Sequence, residues 1–174
     1  MAKVFGFPNP VNEKAARTVA GVVLAVTVVT LVLSVTAGHA WLWITAALAY
    51  GFVARVLTGP TLSPLGRFAM TVVAPRLGEP RPVAGPPKRF AQGVGAAFTL
   101  SAVVLLALGH PLGTQILLGF MVIAAGLESI FAYCLGCKAF AGLMRFGLIP
   151  EEVCEACNDI SLRAPIQTAG ALTR

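Results

Sequence analysis

The chain has 174 residues, of which 57% are hydrophobic and only 11% are charged. A soluble domain carries about 25% charged residues, so the composition excludes that class and predicts a single-domain membrane protein. The formal net charge of +6 does not indicate nucleic acid as a partner, because the basic residues form no stripe and no nucleic-acid-binding module is present. The expected partner is the lipid bilayer.

Two long runs of the sequence carry no Lys, Arg, Asp or Glu. One lies between Arg17 and Arg55 and the other between Arg89 and Glu128. As one helix, a run of about 37 residues would extend about 55 Å. The hydrocarbon core is only about 30 Å thick, so each run must fold back as a hairpin of two spans.

The turns of the hairpins are marked by Gly38-His39-Ala40 and by Gly109 to Gly113, which include Pro111. Asn12 is expected to cap the first helix, with Glu13 favourable in its first turn. The predicted fold class is therefore all-α, an integral membrane four-helix bundle built of two helical hairpins. The predicted spans lie near 18–37, 41–58, 91–109 and 114–133.

The basic residues predict the orientation of the bundle. All 13 Lys and Arg residues lie outside the two turns. By the positive-inside rule, both termini, a loop over 59–90 and a cysteine segment over 134–159 are expected in the cytoplasm. Short interfacial helices are expected near 65–73 and 138–149. Residues 1–159 form the predicted membrane domain, and 160–174 are expected to be a flexible tail.

Two charged residues fall inside the predicted spans. Counted from the outer turns, Arg55 and Glu128 both lie about 21 to 23 Å deep at 1.5 Å per residue. Charges at such depth usually pair or face the bundle interior, so we expect an Arg55–Glu128 ion pair that joins the two hairpins. The alternative is that Arg55 extends to the headgroups while Glu128 is protonated or close to water.

All four cysteines lie in two Cys-x-x-Cys pairs, Cys134/Cys137 and Cys154/Cys157. Such a pair can close a small disulfide loop, and neighbouring groups can favour the thiolate of one cysteine. Lys138 beside Cys137 favours a thiolate in the first pair, which predicts that Cys134 or Cys137 attacks and that Cys154 and Cys157 resolve. If the first pair ends the fourth helix, however, the helix dipole opposes the thiolate.

A metal site is the main alternative for the same residues. The spacing Cys-x2-Cys-x16-Cys-x2-Cys matches a common four-thiolate zinc pattern, in which Cys134, Cys137, Cys154 and Cys157 would be the ligands. Inert packed cysteines fit two regular pairs least well. A static disulfide is not expected, because the cytosol keeps ordinary thiols reduced.

Three segments resemble a known family: Phe5–Asn12, Tyr133–Cys137 and Ile149–Cys157. They are similar to actinobacterial members of the bacterial membrane family filed as domain of unknown function 4395, over residues 5–159. The resemblance implies four spans, a bacterial plasma membrane, and genes for thioredoxin-like and rhodanese-like proteins nearby. Shorter relatives retain only the pair that matches Cys134 and Cys137, which implies that this pair can act alone. The family supplies no established reaction.

These observations favour a cytoplasm-facing dithiol protein that exchanges electrons or sulfane sulfur with a thioredoxin-like or rhodanese-like partner. The first alternative is a non-catalytic membrane protein with a structural zinc ion. The second is a small transporter or assembly scaffold that uses Arg55 and Glu128. A homo-oligomer is compatible with each of them.

Overall fold

The computed structural model describes residues 7–154, and most of that range is helical. Within it, four segments are long and apolar enough to cross a membrane, and they confirm the predicted all-α, four-helix membrane fold: Glu13–Thr36, His39–Thr58, Gly85–Ala107 and Pro111–Phe131. The helices are α1 (Glu13–Thr36), α2 (Ile44–Thr58), α3 (Pro64–Phe68), α4 (Gly85–Ala107), α5 (Pro111–Phe131) and α6 (Leu135–Arg145).

Both predicted hairpin turns are present. Gly38 has φ of 106° and Gly109 has φ of 79°, a backbone conformation that side chains with a Cβ rarely adopt. A 3-10 segment, His39–Trp43, leads from the first turn into α2. Pro111 occupies the first turn of α5, where a missing N–H costs no helical hydrogen bond.

Helices α1, α4 and α5 begin earlier than the predicted spans, most clearly α4, whereas α2 begins three residues later than its predicted span. This helix begins at Gly85 instead of near 91, with Pro86 and Pro87 in its first turn. Proline is tolerated there because the first N–H groups of a helix have no acceptor within it. The start of α1 is as expected, since Asn12 Oδ1 accepts a hydrogen bond of 3.0 Å from the Lys14 N–H. The early start of α4 brings Lys88 into the helix.

The segments outside the bundle are short. Helix α3 continues into a π-helical turn, Ala69–Val73, and a 3-10 turn, Ala74–Leu77. Strand β1 (Val11–Asn12) pairs antiparallel with β2 (Pro82–Val83), an addition that the sequence did not predict. This pair ties the segment before α1 to the segment before α4.

The closest packing runs from α2 to α4, from α4 to α5 and from α5 to α1, while α6 packs on α4. Helices α1 and α2 contact each other more sparsely, although they are joined by the first turn. The hydrophobic cluster between the four spans is formed mainly by Val19, Val23, Leu48, Phe52, Ala96, Met121 and Ala125. We call the end of the bundle where α1 and α4 begin and α5 ends the cysteine end, because Cys134 lies there.

Helix α5 has a well-defined end. The Arg17 Nη2 group donates hydrogen bonds to the carbonyl oxygens of Ser129 at 3.0 Å and of Ile130 at 3.1 Å. These carbonyl groups in the last turn of α5 have no partner within the helix, so the cation supplies one. Ala132 then adopts the left-handed conformation with φ of 56°. This residue reverses the backbone and separates α5 from α6.

The left-handed conformation of Ala132 predicts the effect of a substitution. A residue with a Cβ pays about 1 kcal/mol there, so Ala132→Gly should stabilise the fold by up to that amount. The measurement is the thermal unfolding midpoint in detergent. Ala141→Gly, on the exposed face of α6, is the matched control and should destabilise by about 1 kcal/mol. Equal losses in both variants would contradict this description of the α5 end.

Candidate functional site

Cys134 caps the N-terminus of α6. Its Sγ accepts a hydrogen bond from the Cys137 N–H at 3.3 Å, and its carbonyl oxygen accepts one from the Lys138 N–H at 3.1 Å. The partial positive charge of a helix N-terminus stabilises an anion at this position. The concern that the dipole would oppose a thiolate does not apply, because α5 ends at Phe131 and the first cysteine pair begins a new helix.

A buried ion pair lies close to Cys134. Lys88 Nζ is 2.6 Å from Glu128 Oε1, and the two side chains are only 10% and 16% exposed. Both charges affect the titration of Cys134, Lys88 by favouring the thiolate and Glu128 by opposing it. The ion pair therefore belongs to the electrostatic environment of the dithiol.

The predicted Arg55–Glu128 ion pair is corrected by this contact. Arg55 Nε donates to Gln92 Oε1 at 2.8 Å, Arg55 Nη1 lies 3.3 Å from Ser63 Oγ, and the guanidinium stacks 4.5 Å from the centre of the Phe52 ring. The reason is the early start of α4, which moves Lys88 from the predicted loop into the bundle beside Glu128. Lys88 is the site residue that the sequence analysis missed.

The two thiols of the first pair differ in acidity. The pKa of Cys134 is lowered, mainly by the hydrogen bond from the Cys137 side chain, and further by Lys88 and the Cys137 N–H, against the opposing effect of burial. The pKa of Cys137 is raised strongly by its hydrogen bond to Cys134, by burial and by the negative charge on Cys134. Of the two thiols, Cys134 therefore ionises first, and Cys137 is the one that retains its proton.

Lys138 does not play the part that the sequence suggested. Its ammonium group lies 5.6 Å from the centre of the Tyr133 ring, on the exposed side of α6. The cation that acts on both cysteines is Lys88. Adjacency in sequence was misleading here, because consecutive residues of a helix point in different directions.

The second pair is only partly described. Cys154 ends a 3-10 turn, Glu151–Cys154, and is 3% exposed. It is disulfide-bonded, which the sequence analysis did not expect, whereas Cys134 and Cys137 are free thiols. Cys157 lies outside the described residues, as does the segment 155–174. Within residues 7–154, no group of three or more His, Cys, Asp or Glu side chains is arranged to hold a metal ion.

Cys134 also borders a cavity of about 240 Å³ inside the bundle. The walls are mostly apolar side chains of α1, α4 and α5, and the polar lining residues are Arg55, Gln92, Glu128 and Cys134. Arg55 and Glu128 thus share a cavity without sharing an ion pair. The thiol that the helix activates is in contact with this internal space.

Gly136, between the two cysteines, sets how closely α6 approaches α4. A Cβ at this position would come within 2.6 Å of both Cα and Cβ of Ala91. Since real Cβ atoms do not approach so closely, only glycine allows this packing. The dithiol is held against α4, and so against Lys88, by this close approach.

The fold and the site together define a four-span membrane protein with a free Cys-x-x-Cys dithiol at the start of a helix outside the spans. The chain belongs to the family described as Domain of unknown function (DUF4395), whose model matches residues 11–145. The matched range contains all four spans, Cys134 and Cys137, and ends before Cys154. The searches of the curated proteins and of the solved structures gave no match.

The close approach at Gly136 leads to a prediction about reactivity. Gly136→Ala should push the start of α6 away from α4 and slow the alkylation of Cys134 by iodoacetamide several-fold near neutral pH, since Lys88 then favours its thiolate less. The measurement is the alkylation rate at Cys134, followed by mass spectrometry. Gly142→Ala in the same helix, where a Cβ meets nothing within 4 Å, is the control and should react like the wild type. Equal rates in all three proteins would show that the contact has no effect on the thiol.

Proposed function

We propose that the chain is a membrane dithiol protein that exchanges electrons or sulfane sulfur with a soluble thioredoxin-like or rhodanese-like partner. One observation carries the proposal: the sulfur of Cys134 lies at the N-terminus of α6, where its hydrogen bonds with Cys137 and the positive charge of Lys88 favour the thiolate. Thiolates at helix N-termini next to a cation are the attacking groups of disulfide exchange. The protein acts in this proposal at the cytoplasmic face of a bacterial plasma membrane, with both termini in the cytoplasm.

The exchange proceeds in two balanced steps. The Cys134 thiolate attacks one sulfur of the partner's disulfide, forms a mixed disulfide and releases the other sulfur as a thiolate, which takes a proton from solvent. Cys137 then loses its proton and attacks Cys134 Sγ. The Cys134–Cys137 disulfide forms, the mixed disulfide breaks, and the partner leaves as a dithiol.

The acidity difference between the two thiols supports this order. Negative charge on Cys134 is one cause of the raised pKa of Cys137. Once Cys134 is part of a mixed disulfide, that charge is gone and Cys137 ionises more readily. Cys137 is therefore protected as a thiol until the moment when its attack completes the exchange. With a persulfide as the partner, the same two attacks release hydrogen sulfide and leave the same disulfide.

The disulfide of Cys154 supports a redox role for the second pair. A sulfur in a disulfide is not available as a thiolate ligand, so this state of Cys154 does not suit a four-thiolate zinc site. The zinc hypothesis is supported by the Cys-x-x-Cys spacing. Metal analysis of the purified reduced protein separates the two hypotheses, since the dithiol proposal expects no stoichiometric zinc.

The direct test is to trap the mixed disulfide. Cys137→Ser keeps the attacking thiolate and removes the resolving thiol, so it should accumulate a stable mixed disulfide with an oxidised thioredoxin-like protein. Cys134→Ser is the matched variant and should accumulate at least about tenfold less. The adduct is counted by non-reducing electrophoresis and its sulfur atoms are located by mass spectrometry. Equal trapping by both variants would contradict the assignment of Cys134, and trapping by neither would overturn the proposed function.

A further inference from the structure

The lining of the cavity beside Cys134 includes residues on the lipid-facing surface of the bundle. Three of its lining side chains are also on the outer surface of the bundle: Val94 is 38% exposed, Phe120 55% and Ile123 57%. These residues lie on α4 and α5, the second hairpin, well inside the spans. In a bilayer this surface faces the acyl chains, so a molecule that enters between α4 and α5 comes from the membrane and not from water.

The inner part of the cavity carries unused hydrogen-bonding groups of both kinds. Arg55 Nε donates a hydrogen bond to Gln92 Oε1. Within residues 7–154, however, nothing accepts a hydrogen bond from Arg55 Nη2 or from Gln92 Nε2. Lys88 bonds only to Oε1 of Glu128, and no donor in the same range pairs with its Oε2. Polar groups at this depth need partners, because no bulk water competes for them.

Those groups define the chemistry of a fitting occupant. The two nitrogen donors suit a carbonyl oxygen, and the carboxylate oxygen suits a hydroxyl hydrogen. A ring whose oxygen changes between a carbonyl and a hydroxyl form can bond to both kinds of group. The carbonyl form accepts from the nitrogen donors, and the hydroxyl form donates to the carboxylate oxygen. The volume of about 240 Å³ accommodates a headgroup of one or two rings, and the lipid-facing residues of the lining suit an apolar tail.

We propose that this cavity binds a lipid-soluble quinone, and that the quinone oxidises the Cys134–Cys137 dithiol. The inference rests on the proposed function run in the reverse direction: a partner in its dithiol form reduces the Cys134–Cys137 disulfide through the same mixed disulfide and leaves as a disulfide, and the quinone then takes the two electrons from the dithiol. It also gives a reason for the position of the dithiol, at the border between a cavity in the membrane-spanning bundle and the surface on which a soluble partner acts. Cys134 lies at the N-terminus of α6 and also lines the cavity. The same sulfur can therefore react with the soluble partner and with the quinone.

The reaction balances with the thiolate on Cys134 and the thiol on Cys137. A bond forms between the two sulfur atoms, and two electrons pass to the quinone. The Cys137 proton and one proton from solvent go to the two quinone oxygens. The products are one disulfide and one quinol, in which a hydroxyl can now donate to Glu128 Oε2.

The test uses the full-length protein, purified in detergent, reduced and freed of lipid quinone. A short-tailed benzoquinone and a short-tailed naphthoquinone are added separately, quinol formation is followed by ultraviolet absorbance, and the remaining thiols are counted by alkylation and mass spectrometry. The proposal expects one quinol for each Cys134–Cys137 disulfide. An alkyl-hydroxyquinoline N-oxide, a redox-inert quinone-site ligand, should slow the reaction at least tenfold.

A matched pair of substitutions tests the location. Ala124→Phe places a ring in the cavity and should slow oxidation by quinone at least tenfold, while Ala97→Phe, on the exposed face of α4 outside the cavity, should not. Oxidation by a soluble disulfide is the parallel measurement. If the soluble disulfide oxidises the pair but neither quinone yields quinol, the cavity holds an acyl chain or another lipid and the quinone proposal is overturned. If no oxidant closes the disulfide, the proposed function fails as well.

Discussion

The ion pair between Lys88 and Glu128 is the contact on which the rest of the site depends. A carboxylate inside a bundle is costly without a partner, and the ammonium of Lys88, 2.6 Å away, supplies one. The contact joins α4 to α5 at the cysteine end, and α6 packs against the same part of α4 through Gly136 and Ala91. The pair thus fixes the helix that carries the first cysteine and contributes the cation that acts on its sulfur. The same ion pair therefore stabilises the packing of the helices and affects the acidity of the cysteine.

The spans could be predicted from the sequence, because two charge-free runs each divide at a glycine with positive φ and composition decides what crosses a bilayer. The partner of Glu128 could not. Pro86 and Pro87 fall in the predicted loop over 59–90, but they occupy the first turn of α4, where proline is tolerated, and that one difference moves Lys88 into the bundle. The break at Ala132 was equally hidden, since an alanine in the left-handed conformation follows no sequence rule. Whether the dipole favours or opposes the Cys134 thiolate depends on that residue.

The position of the dithiol suits the proposed transfer of electrons between a soluble protein and a molecule in the lipid bilayer. Cys134 and Cys137 lie just beyond the end of α5, at the boundary between the spans and the segments outside them. In the proposed function a soluble partner reaches Cys134 from the side of α6, and in the quinone proposal the cavity gives access to the same sulfur from between α4 and α5. None of the four cysteines lies within the four spans found in residues 7–154, so these spans provide no thiol route across the bilayer. A lipid-soluble acceptor removes the need for one. The family model matches residues 11–145, a range that contains the first pair and ends before the second.

The central claim is that the pKa of Cys134 is lowered because its hydrogen bond with the Cys137 side chain, its position at the α6 N-terminus and Lys88 act together. The most direct measurement is the pH dependence of thiolate absorbance in the reduced protein, recorded with Lys88→Met and with Lys138→Met as the matched control. The account predicts one thiol with a pKa below the ordinary cysteine value, absent in Cys134→Ser, shifted upward in Lys88→Met and unchanged in Lys138→Met. Removing Lys88 leaves Glu128 without its partner, which can destabilise the protein, so the double variant Lys88→Met/Glu128→Gln is recorded too. The pKa of Cys134 in the double variant should fall between the values in the wild type and in Lys88→Met. An ordinary pKa for Cys134 in the wild type, or an equal shift in both lysine variants, would contradict the account.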